Sequence, residues 1–141
     1  MKTSSSGLRP TTASQAQPSR FIGIDAGAET IKLVEVLRDE GGLQIGRCEI
    51  LEHGKKPGSA LREALARWDW STVSGAAISG RFAAQVNLPR VPTKQAQLRG
   101  FQHHFANEPA TIINIGSHGF SVLEMRGNGL TMFRENSRCS Q

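Results

Sequence analysis

The chain has 141 residues, 38 % of them hydrophobic, and a formal net charge of +5. This length allows one ordinary domain with a hydrophobic core but is short for two domains of normal size. No apolar run approaches the roughly 20 residues that a membrane-spanning helix needs. No apolar segment follows the basic residues near the N-terminus, so a secretory signal is not indicated. We therefore expect a soluble, cytoplasmic protein that does not associate with membranes.

The positive charge does not indicate nucleic-acid binding. Residues 1–20 contain Lys2, Arg9 and Arg20 and no acidic residue, so this segment supplies +3 of the net charge. In the rest of the chain 14 basic residues alternate with 12 acidic ones, and no basic stripe with interleaved aromatic residues is present. We therefore expect no nucleic-acid partner. Residues 1–20 are rich in Ser, Thr, Gln and Pro, which predicts a disordered tail.

The residues after this tail predict two groups of antiparallel strands with helical segments between them. The predicted strands are 21–25, 30–37, 43–51, 73–79, 111–115, 120–126 and 130–133. A helix is expected after a loop at 54–58, with Ser59 as its N-cap and an apolar stripe that ends at Trp68. A second helix is expected over 93–105. The order βββ-α-β-α followed by a new βββ group resembles one complete lobe and the beginning of a second.

The first predicted hairpin, Phe21–Leu37, has the sequence FIGIDAGAETIKLVEVL and is the strongest candidate site. An apolar strand ends in Asp25, a carboxylate that can orient Mg²⁺ or a Mg²⁺-bound water. Gly27 lets the backbone approach a phosphate, and Thr30 and Lys32 add a hydroxyl group and a positive charge. The alternative is a tight hairpin with a solvated aspartate and a surface lysine.

The second predicted hairpin, TIINIGSHGFSVLEM, repeats this arrangement about ninety residues later. Asn114 stands where a second carboxylate is expected, and an amide binds metal more weakly and cannot act as a base. Gly116, Ser117 and Gly119 can form a backbone concavity for an anion. His118 is either a phosphate contact or an exposed turn residue. Two such hairpins, one in each lobe, predict a nucleotide held in a cleft between the lobes.

The segment at 79–81 and the two cysteines are three further features of the sequence. Ser79-Gly80-Arg81 follows a predicted strand and is expected either to line the cleft or to form a plain turn. Cys48 lies in an alternating strand pattern, LQIGRCEI, which predicts a small core residue. Cys139 lies in a polar segment, ENSRCSQ, where nothing demands a buried thiol. A lone thiol is usually inert, but an iron–sulfur cluster can be shared across a symmetric dimer.

Together these residues resemble the activator ATPases of 2-hydroxyacyl-CoA dehydratases and the ATPase subunits of benzoyl-CoA reductase. These proteins belong to the superfamily of acetate kinase, sugar kinases, Hsp70 and actin. The resemblance covers residues 21–141. Its first segment, GIDAGAETIK at 23–32, matches the family's Gly-x-Asp-x-Gly-x-x-x-x-Lys. The other two are NIGSHGFS at 114–121, for Asp-Ile-Gly-Gly-Gln-Asp-Ser-Lys, and NSRCSQ at 136–141, for Asn-Asp-Lys-Cys-Ala-Ala-Gly-Thr-Gly.

The resemblance implies an α/β, RNase H-like fold of the actin-like ATPase class, with a first lobe at 21–108 and a truncated second lobe at 109–141. It implies ATP and Mg²⁺ as ligands, with Asp25 and Asn114 at the catalytic positions. The implied cofactor-binding residues are Gly23, Asp25, Gly27, Thr30, Lys32, Gly116, Ser117 and His118. It also implies a homodimer that shares a [4Fe–4S] cluster, of which Cys139 would be one ligand. Such a protein delivers a low-potential electron from a ferredoxin-like donor to a dehydratase-type partner.

The sequence departs from the family pattern at two places. Asn114 and the pair His118-Gly119 replace acidic and amide residues of the second motif, which indicates a divergent branch. The sequence also ends before the family's second cysteine and its adenosine-binding segment, so we expect an N-terminal fragment. The alternative function is a non-catalytic actin-like scaffold of the pilus-assembly or cell-division type, which Asn114 favours and Cys139 opposes.

Overall fold

A computed structural model of the chain describes residues 17–105, 108–116, 119–127 and 129–136. Each of the seven predicted strands and both predicted helices is present. The strands are β1 Ser19–Ala26, β2 Thr30–Asp39, β3 Gly42–Glu52, β4 Val73–Ser79, β5 Ala110–Gly116, β6 Gly119–Arg126 and β7 Gly129–Asn136. The helices are α1 Pro57–Ala66 and α2 Thr93–Phe105, and a short 3₁₀ turn occupies Ala83–Gln85.

The first four strands form one mixed sheet in the order β3-β2-β1-β4. β2 is antiparallel to both of its neighbours, whereas β4 returns after α1 to lie parallel to β1. A crossover helix is the usual way to join two parallel strands of one sheet. As a result the carboxyl ends of β1 and β4 lie side by side, and Asp25 lies beside Ser79. The α/β class predicted from the sequence is confirmed.

The hydrophobic core lies between one face of this sheet and α1. Alternation along β1 and β2 turns every second side chain to this face. The buried residues are Ile22, Ile24, Ala26, Ile31 and Leu33 from the first two strands, Ile78 from β4, and Leu61, Ala64 and Trp68 from α1 and the residues after it. Burial of each large apolar side chain contributes about 1.5–3 kcal/mol. By the same alternation, Asp25 points to the face opposite the core.

The remaining three strands form a separate antiparallel sheet in the order β5-β6-β7. Leu123 and Met125 of the central strand are buried on one face, and Lys94 of α2 lies 5.3 Å from the ring centroid of Phe133. The other face carries exposed apolar residues, namely Ile113, Ile115, Phe120 and Met132. Across the described residues no helix has the length and hydropathy required to cross a membrane.

Two local predictions were wrong. Cys48 is exposed, not part of the core. It pairs with Val34, on the sheet face that α1 does not cover. Ser59 is not the N-cap of α1, because the helix begins at Pro57 and Lys56 is the N-cap. Proline is well suited to the first helical position, where its missing N–H is not needed. Ser59 instead donates a hydrogen bond to the Lys56 carbonyl at 3.1 Å.

Three element boundaries also differ from the prediction. β1 begins at Ser19, two residues before the predicted strand, and Arg20 is paired with Leu37 of β2. The predicted loop at 54–58 is shorter, because its last two residues belong to α1. β7 extends to Asn136, three residues beyond the predicted strand end.

Hydrogen bonds to the Glu49 carboxylate join β3 to the end of α1. Glu49 accepts hydrogen bonds from Arg67, from Arg47 Nη2 at 3.0 Å and from Trp68 Nε1 at 2.9 Å. The Arg47 guanidinium also lies 4.6 Å from the centroid of the Trp68 ring, a cation–π contact. The hydrogen bond from Arg67, and then that from Trp68, lowers the pKa of Glu49 below its ordinary value of 4.5.

Replacement of Glu49 by glutamine should therefore make the stability of the protein less dependent on pH. Because the pKa is lowered on folding, the charge of Glu49 stabilises the fold above the ordinary pKa, and this contribution disappears as the pH falls through the folded-state value. Thermal unfolding should show a lower Tm for Glu49→Gln at pH 7 and convergence with the wild type in acid. Glu52→Gln, at an exposed position of the same strand, is the control. A Tm difference that does not change with pH would contradict this role.

Candidate functional site

Asp25 lies near the carboxyl end of β1, between the two strands that flank β1 in the sheet. The register places it opposite Lys32 of β2 and Ser79 of β4. Lys32 Nζ is 3.2 Å from Asp25 Oδ2, and Ser79 Oγ donates to Asp25 Oδ1 at 3.3 Å. The Asp25 side chain is 36 % exposed. The carboxylate is thus held by both neighbours, remains open to a ligand, and lies at the carboxyl ends of two parallel strands, where α/β proteins bind ligands.

The donor atoms at this position suit a magnesium ion that arrives with a phosphate. Mg²⁺ prefers oxygen ligands and is usually held by one or two carboxylates together with water and substrate phosphates. Asp25 offers a carboxylate and Ser79 a hydroxyl oxygen, while Lys32 supplies a positive charge for an anion. Among the described residues there is no group of three or more His, Cys, Asp or Glu that could hold a metal ion. The arrangement around Asp25 therefore fits a magnesium ion that is bound together with a phosphate.

The turn between β1 and β2 is closed by its own backbone. Gly27 N–H donates to the Thr30 carbonyl at 3.0 Å, and a Cβ atom at Gly27 would lie 3.0 Å from that oxygen. A side chain at position 27 would therefore crowd the Thr30 carbonyl, and the Gly27 N–H is already used within the turn. The N–H groups of Ala28 and Glu29 have no acceptor within the described part of the chain. These two groups, rather than that of Gly27, are the ones available to an anion.

His53 supports this turn, and the sequence analysis did not identify it. The residue is only 5 % exposed, and its Nε2 lies 3.3 Å from the Gly27 carbonyl oxygen. Its backbone N–H donates to the Glu29 carbonyl at 3.1 Å, and its ring meets the Phe82 ring edge-on at 5.7 Å. The pairing of Thr30 with Glu52, the residue before His53, brings His53 to the turn. The local sequence is typical of a loop and gives no signal of this contact.

Gly80 brings the end of β4 directly onto the end of β1. Its φ is +95°, a value that favours glycine. A Cβ atom at Gly80 would lie 2.5 Å from the Ala26 carbonyl oxygen and 2.6 Å from Asp25 Oδ1. Phe82 N–H then donates to the Ala26 carbonyl at 3.0 Å. Of the predicted segment Ser79-Gly80-Arg81, the first two residues contact Asp25.

The other residues of the first motif have more ordinary surroundings. Gly23 lies within β1, two residues before Asp25, where a Cβ atom would lie 3.0 Å from Cγ1 of Val34. This glycine therefore serves the packing of β1 against β2. Thr30 closes the turn through its carbonyl group.

The second hairpin is formed by β5 and β6. Asn114 pairs with Ser121 on β6, and Gly116 pairs with Gly119, which has a φ of +129°. Asn114 and Gly116 are exposed. Within the described residues no hydrogen bond or ion pair joins this hairpin to Asp25. The predicted site residues Ser117, His118 and Cys139 lie outside the described residues.

Comparison with known proteins identifies the fold. No model of a known protein family matches the sequence, and no curated protein is significantly similar to it. Component A of (R)-2-hydroxyglutaryl-CoA dehydratase from Acidaminococcus fermentans has a TM-score of 0.70 at 18 % identity, over 86 % of this chain and 49 % of that one. The activator of the 2-hydroxyisocaproyl-CoA dehydratase from Clostridium difficile, a structure with bound ADPNP, has a TM-score of 0.70 at 21 % identity, over 87 % and 47 %. An exopolyphosphatase from Cytophaga hutchinsonii has a TM-score of 0.66 at 15 % identity, over 84 % and 50 %.

These similarities place the chain in the actin-like ATPase fold, as the sequence predicted. The chain spans about half the length of each of these structures. Fold alone does not determine function. The activity therefore has to be argued from the residues around Asp25.

Replacement of Gly80 by alanine should disturb both stability and the Asp25 carboxylate. The side chain would be strained by the positive φ, at about 1–3 kcal/mol, and would clash with Ala26 and Asp25. Gly42→Ala is the matched control, because Gly42 has a φ of +117° but nothing within 4 Å of an added Cβ. Urea unfolding should show a larger loss of stability for Gly80→Ala than for Gly42→Ala. Equal losses would mean that the close approach of β4 to β1 is not required.

Proposed function

We propose that this chain is the phosphate-binding N-terminal part of an activator-type ATPase. The observation that carries the proposal is the Asp25 carboxylate, which is held by Lys32 and Ser79 next to a turn with two free N–H groups. The similarity in fold to two dehydratase activator components supports it, as does the ADPNP bound in one of them. On this proposal the ligand is a magnesium nucleotide.

Each group around the turn has a distinct role in the proposed site. A bound Mg²⁺ would supply positive charge that bridges and neutralises the phosphates. Asp25 would hold the ion or its water shell, and Ser79 keeps one carboxylate oxygen oriented. Lys32 would turn from Asp25 toward a phosphate oxygen as a mobile positive charge. The N–H groups of Ala28 and Glu29 would donate to the same anion.

The proposed property of this part of the chain is binding rather than hydrolysis. We propose that Asn114, with Gly116 and with Ser117 and His118 of the same hairpin, provides the second contact to the phosphates. The amide of Asn114 cannot accept a proton as a general base. Turnover of the nucleotide would therefore be slow compared with an enzyme that has a carboxylate here.

The electron-transfer role follows from the resemblance in sequence and is the finer part of the proposal. Cys139 would be one ligand of a [4Fe–4S] cluster shared by two copies of the chain, with a ferredoxin-like donor and a dehydratase-type partner in the cytoplasm. A cluster held by four thiolates across a dimer needs two from each copy. This chain has one cysteine in the matching segment, Cys139.

Nucleotide binding should depend on Asp25. Isothermal titration with ADPNP and Mg²⁺ should show binding to the wild type and a loss of affinity of about tenfold or more for Asp25→Asn, because the metal loses its anionic ligand. Asp39→Asn is the control, since Asp39 is an exposed aspartate at the far end of β2 that only accepts a hydrogen bond from Gly41. Circular dichroism verifies that both variants are folded. No binding by the wild type, or equal binding by Asp25→Asn, would contradict the proposal.

Iron binding should depend on Cys139 and not on Cys48. After anaerobic reconstitution with iron and sulfide of a longer product that supplies the second thiolate, the visible absorbance of thiolate-bound iron is expected in the wild type and in Cys48→Ala but not in Cys139→Ala. The exposed thiol of Cys48 makes that variant a control for adventitious iron. The chain as given, which has one cysteine in the matching segment, is measured in parallel. Colourless protein in every form would favour an actin-like nucleotide-binding scaffold over an electron-transferring activase.

A further inference from the structure

A cavity of about 400 Å³ opens beside Asp25 and is lined by two arginines. Its lining residues, all within the described part of the chain, are Gly80, Arg81, Ala83, Ala84, Arg90, Val91, Pro92 and Thr93, and none of them is acidic. Gly80 belongs to both places, because its α-carbon lies against Asp25 Oδ1. The cavity is therefore adjacent to the Asp25 carboxylate.

Backbone hydrogen bonds fix the first arginine at this position. Arg81 lies between Gly80, whose carbonyl accepts from Ala83 N–H at 3.2 Å, and Phe82, whose N–H donates to the Ala26 carbonyl at 3.0 Å. Both neighbours of Arg81 are thus held by backbone hydrogen bonds, and that of Phe82 is to Ala26, the last residue of β1. The contacts between the end of β4 and the end of β1 that place Gly80 against Asp25 therefore also fix the Arg81 backbone.

The second arginine is fixed against the neighbouring strand. Arg90 forms a parallel bridge with Ile78, the penultimate residue of β4. Ile78 N–H donates to the Pro89 carbonyl and Val91 N–H donates to the Ile78 carbonyl, both at 2.9 Å. Arg90 is therefore held beside the carboxyl end of β4, as Arg81 is, although eight residues separate the two in sequence.

Neither arginine has its charge compensated. Arg81 and Arg90 make no ion pair or side-chain hydrogen bond with any described residue. Four other arginines of the described chain are paired with glutamates, namely Arg20, Arg47, Arg67 and Arg126. Two unpaired arginines in the lining of one cavity give it a positive potential, and this potential favours the binding of an anion. The guanidinium group also presents a planar set of donors that matches phosphate oxygens.

We propose that Arg81 and Arg90 form a subsite for a condensed phosphate chain whose magnesium ion is held at Asp25. The inference rests on the proposed function, which supplies the magnesium ion, and it adds a second contact region in the segments that follow β4. A chain of two or three linked phosphates reaches from Asp25 past Gly80 into the cavity. Nucleoside triphosphates and inorganic polyphosphate share this chemistry, so both sources are tested.

The test uses the full chain and two ligands, Mg²⁺–tripolyphosphate and Mg²⁺–ADPNP, in isothermal titrations. Arg81→Gln and Arg90→Gln should each lower the affinity for tripolyphosphate about tenfold, the effect of one lost charged hydrogen bond. Arg81→Lys should recover part of this loss, because it restores the charge without the planar donors. Arg38→Gln is the control, since Arg38 is exposed on β2, carries the same charge and does not line the cavity. Thermal unfolding verifies that each variant is folded.

Each outcome separates this inference from the proposed function. If ADPNP binds in an Asp25-dependent manner but neither arginine variant weakens either ligand, the inference is wrong and the proposed function stands. If both arginine variants weaken tripolyphosphate while ADPNP does not bind, the subsite is confirmed and the nucleotide proposal fails. An equal loss for both ligands identifies the nucleotide phosphates as an occupant and supports both. Failure of the wild type to bind tripolyphosphate, or an equal loss in Arg38→Gln, would overturn the subsite.

Discussion

The parallel pairing of β1 with β4 is the constraint on which the candidate site depends. It sets Asp25 beside Ser79 and brings Gly80 onto the carboxylate. Because side chains alternate along a strand, a register shift of one residue would turn the carboxylate toward the core and expose Ile24. Burial of Ile24 under α1 therefore holds Asp25 at the surface of the opposite face. The apolar core and the polar site are two consequences of the same register.

Two tertiary contacts keep the turn after Asp25 in place. His53 holds it from the side of β3, through the Gly27 carbonyl and the Glu29 carbonyl. Phe82 holds it from the side of β4, through the Ala26 carbonyl, and its ring meets that of His53. The free N–H groups of the turn are thus carried by a backbone that is fixed on both sides. A site that is organised before its ligand arrives loses less entropy on binding.

The sequence predicted the elements well because strand alternation and helical periodicity are local properties. For the same reason the pair Asp25 and Lys32, which belongs to one hairpin, could be predicted. His53 and Arg90 could not, since their places depend on pairings between segments that are distant along the chain. The burial of Cys48 was predicted wrongly because alternation indicates two faces of a strand but does not say which face another element covers.

The charges near Asp25 have a further consequence for the role of the second hairpin. Lys32, Arg81 and Arg90 all belong to the first sheet or to the segments that follow β4. On the proposal of a phosphate-chain ligand, its positive partners would therefore lie in the first sheet and in the segments that follow β4. On the proposal that Asn114 contacts the phosphates, a carboxylate at position 114 would add negative charge near the ligand, and Asn114 avoids that repulsion although it cannot act as a base. On the same proposal, an amide at position 114 would be compatible with phosphate binding even where it does not support hydrolysis.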